Sequence, residues 1–268
     1  MMHAPETWHH GLMARWWAEF KEPEAGELAY YRSVIEQNGE PALDLACGAG
    51  RLLLPLLEAG FDVDGVDASP DMLSQARRLA EERGLSPSVF EQAMHELDLP
   101  RRYRTIYICD SFGIGGGRAE ARGTLERVFH HLEPGGALVF SHDLPYGEAE
   151  DDWLRWLPGR HGETQPWPAA GDRRRMADGD ELKLLFREVS WDPLLQRSVL
   201  EVRGRRWHDG EPVEEDEHSI VLGAYFAQEL LLMLDVAGFL DVEVQGRYTA
   251  EPATSDDTTV VFLARRPT

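Results

Sequence analysis

Beyond Pro41 the chain alternates short apolar runs with stretches of helical period, and few folds accommodate that alternation. Runs at 42–46, 62–66, 89–92, 105–109 and 137–141 have strand length, and helical stretches at 50–58, 70–83 and 119–132 separate most of them. Neighbouring parallel strands need a crossover, usually a helix, so this order predicts βαβ units in an open sheet covered on both faces. The boundaries are chemically marked. Ser69-Pro70 supplies an N-cap and a first-turn proline, Gly60 and Gly84 stop helices, and Pro134-Gly135-Gly136 makes a turn. Pro55 falls inside the first helical stretch, where its missing backbone donor predicts a bend.

Two helices, 9–20 and 24–37, divided by Pro23 and closed by Asn38-Gly39, precede this core. Between 148 and 222 the helical period gives way to alternating apolar and polar residues at 182–189, 198–207 and 218–222. Antiparallel hairpins fit that alternation, and Asp209-Gly210 is the turn that a tight hairpin prefers. Helical spacing returns at Phe226, Leu230, Leu231, Met233, Leu234 and Ala237, Gly238 ends that helix, and strands follow at 242–245 and 259–264. The expected organisation is an N-terminal helical lid at 1–40, an α/β core at 41–147 and 223–268, and an inserted antiparallel β subdomain at 148–222.

Composition narrows the setting. Acidic residues outnumber basic ones 48 to 27, a formal net charge of −21, which disfavours a polyanionic partner because nucleic-acid affinity comes from neutralising phosphates. Arg173 to Arg175, with Arg203, Arg205 and Arg206, form either a local basic patch or solvated strand and loop faces. Charged residues interrupt every apolar run well short of the ~20 residues of a membrane span. The first residues lack the basic start and apolar stretch of a secretory leader, so a cytoplasmic protein is expected. Cys47 and Cys109 are too few for a disulfide scaffold and lack metal-ligand spacing, so no metal is expected. Exposed apolar strands in the inserted hairpins leave a homodimer open.

Asp44-Leu45-Ala46-Cys47-Gly48-Ala49-Gly50 stands where the first strand gives way to a helix, the place where open α/β sheets bind nucleotides. Glycine lets backbone turn sharply and approach a ligand, and free amides at the following helix start suit an anion. Asp67 ends the second strand about 17 residues past Gly50, close to the spacing at which an acid accepts hydrogen bonds from ribose hydroxyls. A dinucleotide fold asks for a third glycine three residues after Gly50. Leu53 stands there, and the pattern leans away from NAD.

On these residues the chain resembles the class I S-adenosylmethionine-dependent methyltransferases, whose first motif runs acidic-x-x-x-Gly-x-Gly and whose second strand ends in an acid. Gln92-Ala93-Met94 resembles the family's adenine loop, Cys109-Asp110-Ser111-Phe112 its methionine-side segment, and Pro134-Gly135-Gly136-Ala137 its approach to the fifth strand. The resemblance covers about 41–143 plus the last helix and two strands. It implies a Rossmann-like seven-stranded, mostly parallel sheet and S-adenosylmethionine as donor, with S-adenosylhomocysteine as product. By position, Gly48 and Gly50 approach the methionyl part beside Asp44 and Ala46, Arg51 pairs with its carboxylate, and Asp67 with Ala68 holds the ribose. Met72 and Met94 pack on the adenine or simply fill the core, and Gln92 or the Ala93 backbone reads the adenine edge, since Ala93 stands where the family often has an acid. Cys109, Asp110 and Ser111 complete the donor side.

Methyl transfer from a sulfonium depends mainly on alignment, and a base is needed only where the nucleophile must lose a proton. His142, after the fifth strand, is the candidate base, with Asp143 as its orienter. Tyr146, Trp153 and Trp156 are candidate acceptor contacts, and Tyr30 and Tyr31 are either lid residues or core. The expected activity is methyl transfer to nitrogen or oxygen of a small-molecule acceptor. A nicotinamide-dependent oxidoreductase and a non-catalytic protein that keeps the donor pocket are the alternatives.

Overall fold

The structure is a computed structural model and describes residues 8–146, 152–157, 164–169, 171 and 173–268. Two helices, α1 (Gly11–Phe20) and α2 (Glu27–Asn38), lead into β1 (Ala42–Leu45), α3 (Leu53–Glu58), β2 (Val63–Asp67), α4 (Pro70–Glu82), β3 (Val89–Glu91), β4 (Tyr103–Ile108), α5 (Arg118–His131) and β5 (Leu132–Asp143). Four antiparallel strands follow: β6 (Arg173–Arg175), β7 (Glu181–Asp192), β8 (Arg197–His208) and β9 (Glu211–Gly223). The chain then returns through α6 (Ala227–Ala237), β10 (Leu240–Gly246) and β11 (Thr259–Arg265). The main sheet has seven strands in the order β10-β11-β5-β4-β1-β2-β3, and only β11 runs against its neighbours. This is the expected Rossmann-like α/β architecture with a separate antiparallel sheet. No helix among the described residues is long and apolar enough to cross a membrane.

Local chemistry explains most boundaries and corrects two. The Ser69 hydroxyl accepts from the Met72 amide (3.1 Å) and caps α4, with Pro70 in its first turn. Helix α3 starts at Leu53 rather than at 50, which leaves Pro55 in a first turn where no backbone donor is required, so the expected bend loses its cause. Pro134 to Gly136, read as a turn, lie inside β5, and a register shift against β4 between Tyr103 and Thr105 absorbs them. Asp209 and Gly210 adopt the paired positive φ (49° and 86°) of a primed hairpin turn, as their sequence predicts.

Arg203, Arg205 and Arg206 of β8 and Arg173 of β6 are paired with acids. Arg203 pairs with Glu217 (2.8 Å), Arg205 with Glu215 (2.5 Å) and Arg206 with Glu214 (2.8 Å) across the β8–β9 ladder, and Arg173 pairs with Glu181 (2.5 Å) beside it. Opposite charges directly across a sheet are the favourable arrangement, and they cancel the field that a polyanion would seek.

Helix α1 joins the two sheets. Leu12 and Met13 are buried against Leu182, Leu184, Val202 and Ile220 of the smaller sheet, while Ala14 packs with Ala49 and Met72 of the core. Its first amides lack intrahelical partners, and two carboxylates supply them: Asp71 of α4 accepts from Gly11 N and Asp216 of β9 from Leu12 N, both at 2.7 Å. Helix α2 buries Tyr31 and Ile35 with Tyr107, Val139 and Val261 of the main sheet.

The close helix-to-strand approach that a dinucleotide fold makes with a helix glycine is made here from the strand side. A Cβ on Gly65 of β2 would stand 2.8 Å from Leu53 Cδ2, 2.9 Å from Cys47 Sγ and 3.1 Å from Val89 Cγ1. Gly65→Ala is expected to destabilise the protein by about 1–3 kcal/mol through overpacking, read as a lower urea midpoint, and Leu53→Val in the same chain to recover part of the loss. A midpoint unchanged by Gly65→Ala would contradict this packing.

Candidate functional site

Loops from the carboxyl ends of β1, β2, β3 and β4 surround a cavity of about 190 Å3. Of the residues expected on the donor side, Asp44, Ala46, Gly48, Arg51, Asp67, Ala68, Met72, Gln92, Met94, Cys109, Asp110 and Ser111 border it. Gly50 and Ala93 do not. Gly50 has a φ of 88°, and a Cβ there would meet Leu54 Cγ at 2.8 Å, so its glycine serves the turn into α3 instead of a ligand.

Asp67 organises the rim. Its Oδ2 accepts from Gly48 N and its Oδ1 from Ser69 N, both at 2.8 Å, so one carboxylate fixes the loop after β1 against the start of α4. Burial raises its pKa against the pull of the Ser69, Gly48 and Ala68 amides. Asp44 is more deeply enclosed, and burial pushes it up to about 7, with Tyr107 and Arg51 acting in the opposite direction.

Arg51, expected to meet a donor carboxylate, already has a partner. Glu27 of α2, wholly buried, forms a salt bridge with its guanidinium, which also lies 3.3 Å from Cys109 Sγ and 3.8 Å from Asp110 Oδ2. The Cys109 thiol donates to Glu27 Oε1 (2.8 Å), and burial raises its pKa so that it stays a thiol. The Tyr248 hydroxyl lies 3.0 Å from both Asp110 oxygens and 3.2 Å from Glu27 Oε1. Glu27, Cys109 and Asp110 are also close enough together to share a cation, and Arg51 supplies one.

A second cavity, of about 510 Å3, opens between the end of β5 and the smaller sheet. His142, Asp143 and Leu144 form one wall, Glu188, Trp191, Ser198, Leu200 and Leu222 the other, and Arg155 with Trp156 the edge. Asp110, Phe112, Gly113 and Ile114 border both cavities. Backbone bonds from Gly223 N to Gly113 O and from Gly115 N to Val221 O, both 2.8 Å, lock this shared loop to β9.

Around the second cavity the expected roles are redistributed. His142 is buried with Nε2 3.2 Å from the Tyr225 carbonyl, and burial lowers its pKa, so it is a neutral imidazole donating to backbone. Asp143 accepts from Thr259 Oγ1 of β11 (2.6 Å), which ties it to the sheet and not to an orienting task. Trp156 lines the cavity edge-on to Trp191 at 4.7 Å, whereas Tyr146 is half exposed against Phe226 and borders neither cavity. The Trp153 side chain lies outside the described residues. Tyr30 and Tyr31 are core: Tyr30 donates to Gln245 Oε1 (2.6 Å) and Tyr31 to Ser141 Oγ (3.4 Å), away from both cavities.

Several lining residues have no counterpart among the expected ones. Trp8, His9 and Trp17 reach the first cavity from the N-terminal segment, and Gly113, Gly116 and Gly117 from the loop after β4. The run Gly113-Ile114-Gly115-Gly116-Gly117 was the available signal for that loop. Nothing local announces Glu27 or Tyr248.

Comparison with known proteins agrees with this geometry. Residues 42–136 match a family model described as a methyltransferase domain. The dTDP-3-amino-3,6-dideoxy-alpha-D-glucopyranose N,N-dimethyltransferase of Streptomyces fradiae is 32% identical over 117 residues, 43% of this chain and 44% of that one. A 23S rRNA (uracil(1939)-C(5))-methyltransferase of Shewanella sp. strain MR-4 is 48% identical over 63 residues, 24% of this chain and 14% of that one. The chain spans about half the length, or less, of the curated relatives it matches. In three dimensions it is similar to the sugar N-methyltransferase KedS8 from Streptoalloteichus sp. ATCC 53650, with a TM-score of 0.71, 21% identity and coverage of 100% of this chain and 97% of that one. Residues 42–136 are thus a methyltransferase domain, set in a chain with the Rossmann-like fold of class I S-adenosylmethionine-dependent methyltransferases.

Proposed function

We propose that the chain transfers a methyl group from S-adenosylmethionine to a nitrogen or oxygen of a small-molecule acceptor. The observation that carries this reading is the meeting of two cavities along Asp110, Phe112, Gly113 and Ile114, one framed by the β1 and β2 loops and the other by the inserted sheet. The first cavity fits the donor by its chemistry: Asp67 is an acceptor on its rim suited to ribose hydroxyls, and Asp44 is a buried acid suited to an ammonium. The donor supplies a methyl group already activated by its sulfonium charge. The chain's own residues orient it, exclude water and present an acceptor across the shared loop.

Nitrogen is the favoured atom, supported by the sugar and amino-sugar N-methyltransferases among the similar proteins. The net charge of −21 and the paired arginines of β8 favour a small molecule over RNA in a cytoplasmic setting. Helix α1, with Trp8, His9 and Trp17 over the first cavity, is the lid in this reading, and residues 173–223 form the acceptor-binding insertion.

Isothermal titration is expected to show S-adenosylmethionine and S-adenosylhomocysteine binding the folded protein, and Asp67→Ala to weaken both about tenfold or more, the range for hydrogen bonds to a charged group. Absence of binding, or binding indifferent to Asp67→Ala, would sink the proposal. A second expectation concerns pH. Asp44 is raised from 3.8 to about 7, so its contribution to stability is fully present below 3.8 and is lost as the pH climbs through 7. A cationic donor favours the ionised form, so binding is expected to release close to one proton at about pH 6 and little at about pH 8. Titrations in buffers of different ionisation enthalpy read this directly, and buffer-independent heats at the lower pH would contradict it.

A further inference from the structure

The second cavity carries more acid than its fold requires. Its titratable lining consists of Asp110, Asp143, Glu188, Arg155 and His142, and His142 is held neutral by burial against the Tyr225 carbonyl. Glu188 is consumed locally: Arg155 pairs with it at 2.5 Å and Ser198 Oγ donates to it at 2.7 Å. Among the described residues Asp143 and Asp110 have no such paired cation of their own, and each accepts from hydroxyls, from Thr259 for the former and from Ser141 and Tyr248 for the latter. The nearest cation to Asp110 is Arg51 at 3.8 Å, which is already engaged by Glu27. The aromatic edge is also suited to positive charge, because Trp191 carries the Arg155 guanidinium 4.1 Å from its ring centroid.

Among the described residues Asp110 is the one carboxylate that borders both cavities. It is held there firmly. Its backbone has a φ of 51°, its amide donates to Ser141 Oγ (2.8 Å), that hydroxyl donates back to Oδ1 (2.6 Å), and Tyr248 reaches both oxygens. A carboxylate so braced, on the border of both cavities, is a fixed point for one cationic group.

Building on the reading of the chain as a methyltransferase, we infer that the second cavity takes its acceptor as an organic ammonium ion and that Asp110 is the residue that binds the reacting nitrogen. Asp143 adds a second negative charge farther along the wall, so a neutral alcohol of the same shape forfeits the attraction. Before transfer the ammonium gives one N–H proton to an Asp110 oxygen, which leaves the electron pair on nitrogen. The N–C bond forms with that pair as the C–S pair returns to sulfur, and the methylated nitrogen carries the positive charge.

The test separates acceptor capture from donor binding. Protein saturated with S-adenosylhomocysteine is titrated with benzylammonium and with benzyl alcohol as matched probes. Benzylammonium is expected to bind about tenfold or more tightly than the alcohol, as a charge-assisted contact implies. Asp110→Asn is expected to remove that preference, read as a benzylammonium to benzyl alcohol affinity ratio near one with S-adenosylhomocysteine kept saturating. Asparagine tolerates the left-handed backbone at this position, so the variant retains the fold. Tyr248→Phe, which takes a hydroxyl from Asp110, is expected to reduce the preference in part. Equal binding of the two probes, no binding of benzylammonium, or an Asp110→Asn variant that loses S-adenosylhomocysteine and keeps the preference would each overturn the assignment. Failure of the wild-type protein to bind S-adenosylhomocysteine would instead overturn the methyltransferase reading beneath it.

Discussion

The buried ion pair between Glu27 and Arg51 is the contact on which the site depends. Glu27 is fully enclosed and Arg51 is 18% exposed, and removing the arginine strands a buried charge, which typically costs about 3–5 kcal/mol. Desolvation makes a buried pair a poor source of stability unless further hydrogen bonds complete it. Here the Cys109 thiol and the Tyr248 hydroxyl both reach Glu27 Oε1. Through these four side chains α2, the loop after β1, the end of β4 and the segment between β10 and β11 meet at one point. Helix α2 thereby backs Arg51, which lines the first cavity, and Asp110 takes its surroundings from the same cluster.

A second set of carboxylates fixes the other face. Asp71 and Asp216 take the two leading amides of α1, so a single helix end is shared between the core and the smaller sheet. The backbone bonds between residues 113–115 and β9 close the opposite side. The inserted strands are held at both ends against the carboxyl edge of the main sheet, and the second cavity is the space left between. Trp17 of α1 and the residues leading into it border the first cavity, and the inserted strands border the second.

What the sequence made legible follows the range over which its signals act. Strand and helix order, the Ser69 cap, the Asp209-Gly210 turn and the Asp44 to Asp67 donor segment are set by residues close together in the chain, and the structure has them where the pattern points. Tyr30 and Tyr31 were ambiguous because an aromatic on an inward helix face looks the same whether it meets substrate or sheet, and both meet the sheet. His142 was ambiguous for a related reason: a histidine at a strand end is defined by its partners, and a backbone carbonyl from residue 225 is invisible to any local pattern. Glu27 and Tyr248, 221 positions apart, share a hydrogen bond that no spacing rule anticipates.

The same reasoning explains why the donor half of such a chain is easier to name than the acceptor half. Donor recognition rests on backbone turns and one acid, and the fold repeats these at fixed offsets, so a match over 63 residues reaches even a protein named for 23S rRNA. In the reading proposed above, acceptor recognition rests on charge left over after pairing. Asp110 and Asp143 matter because Glu188 is already satisfied by Arg155 and Ser198, and Arg51 by Glu27. That remainder is a property of the folded arrangement, since the sequence contains 48 acids and does not say which of them meet a cation. In that reading a substitution at Glu27, which lines neither cavity, would free Arg51 beside Asp110 and so alter the second cavity's charge from outside its lining.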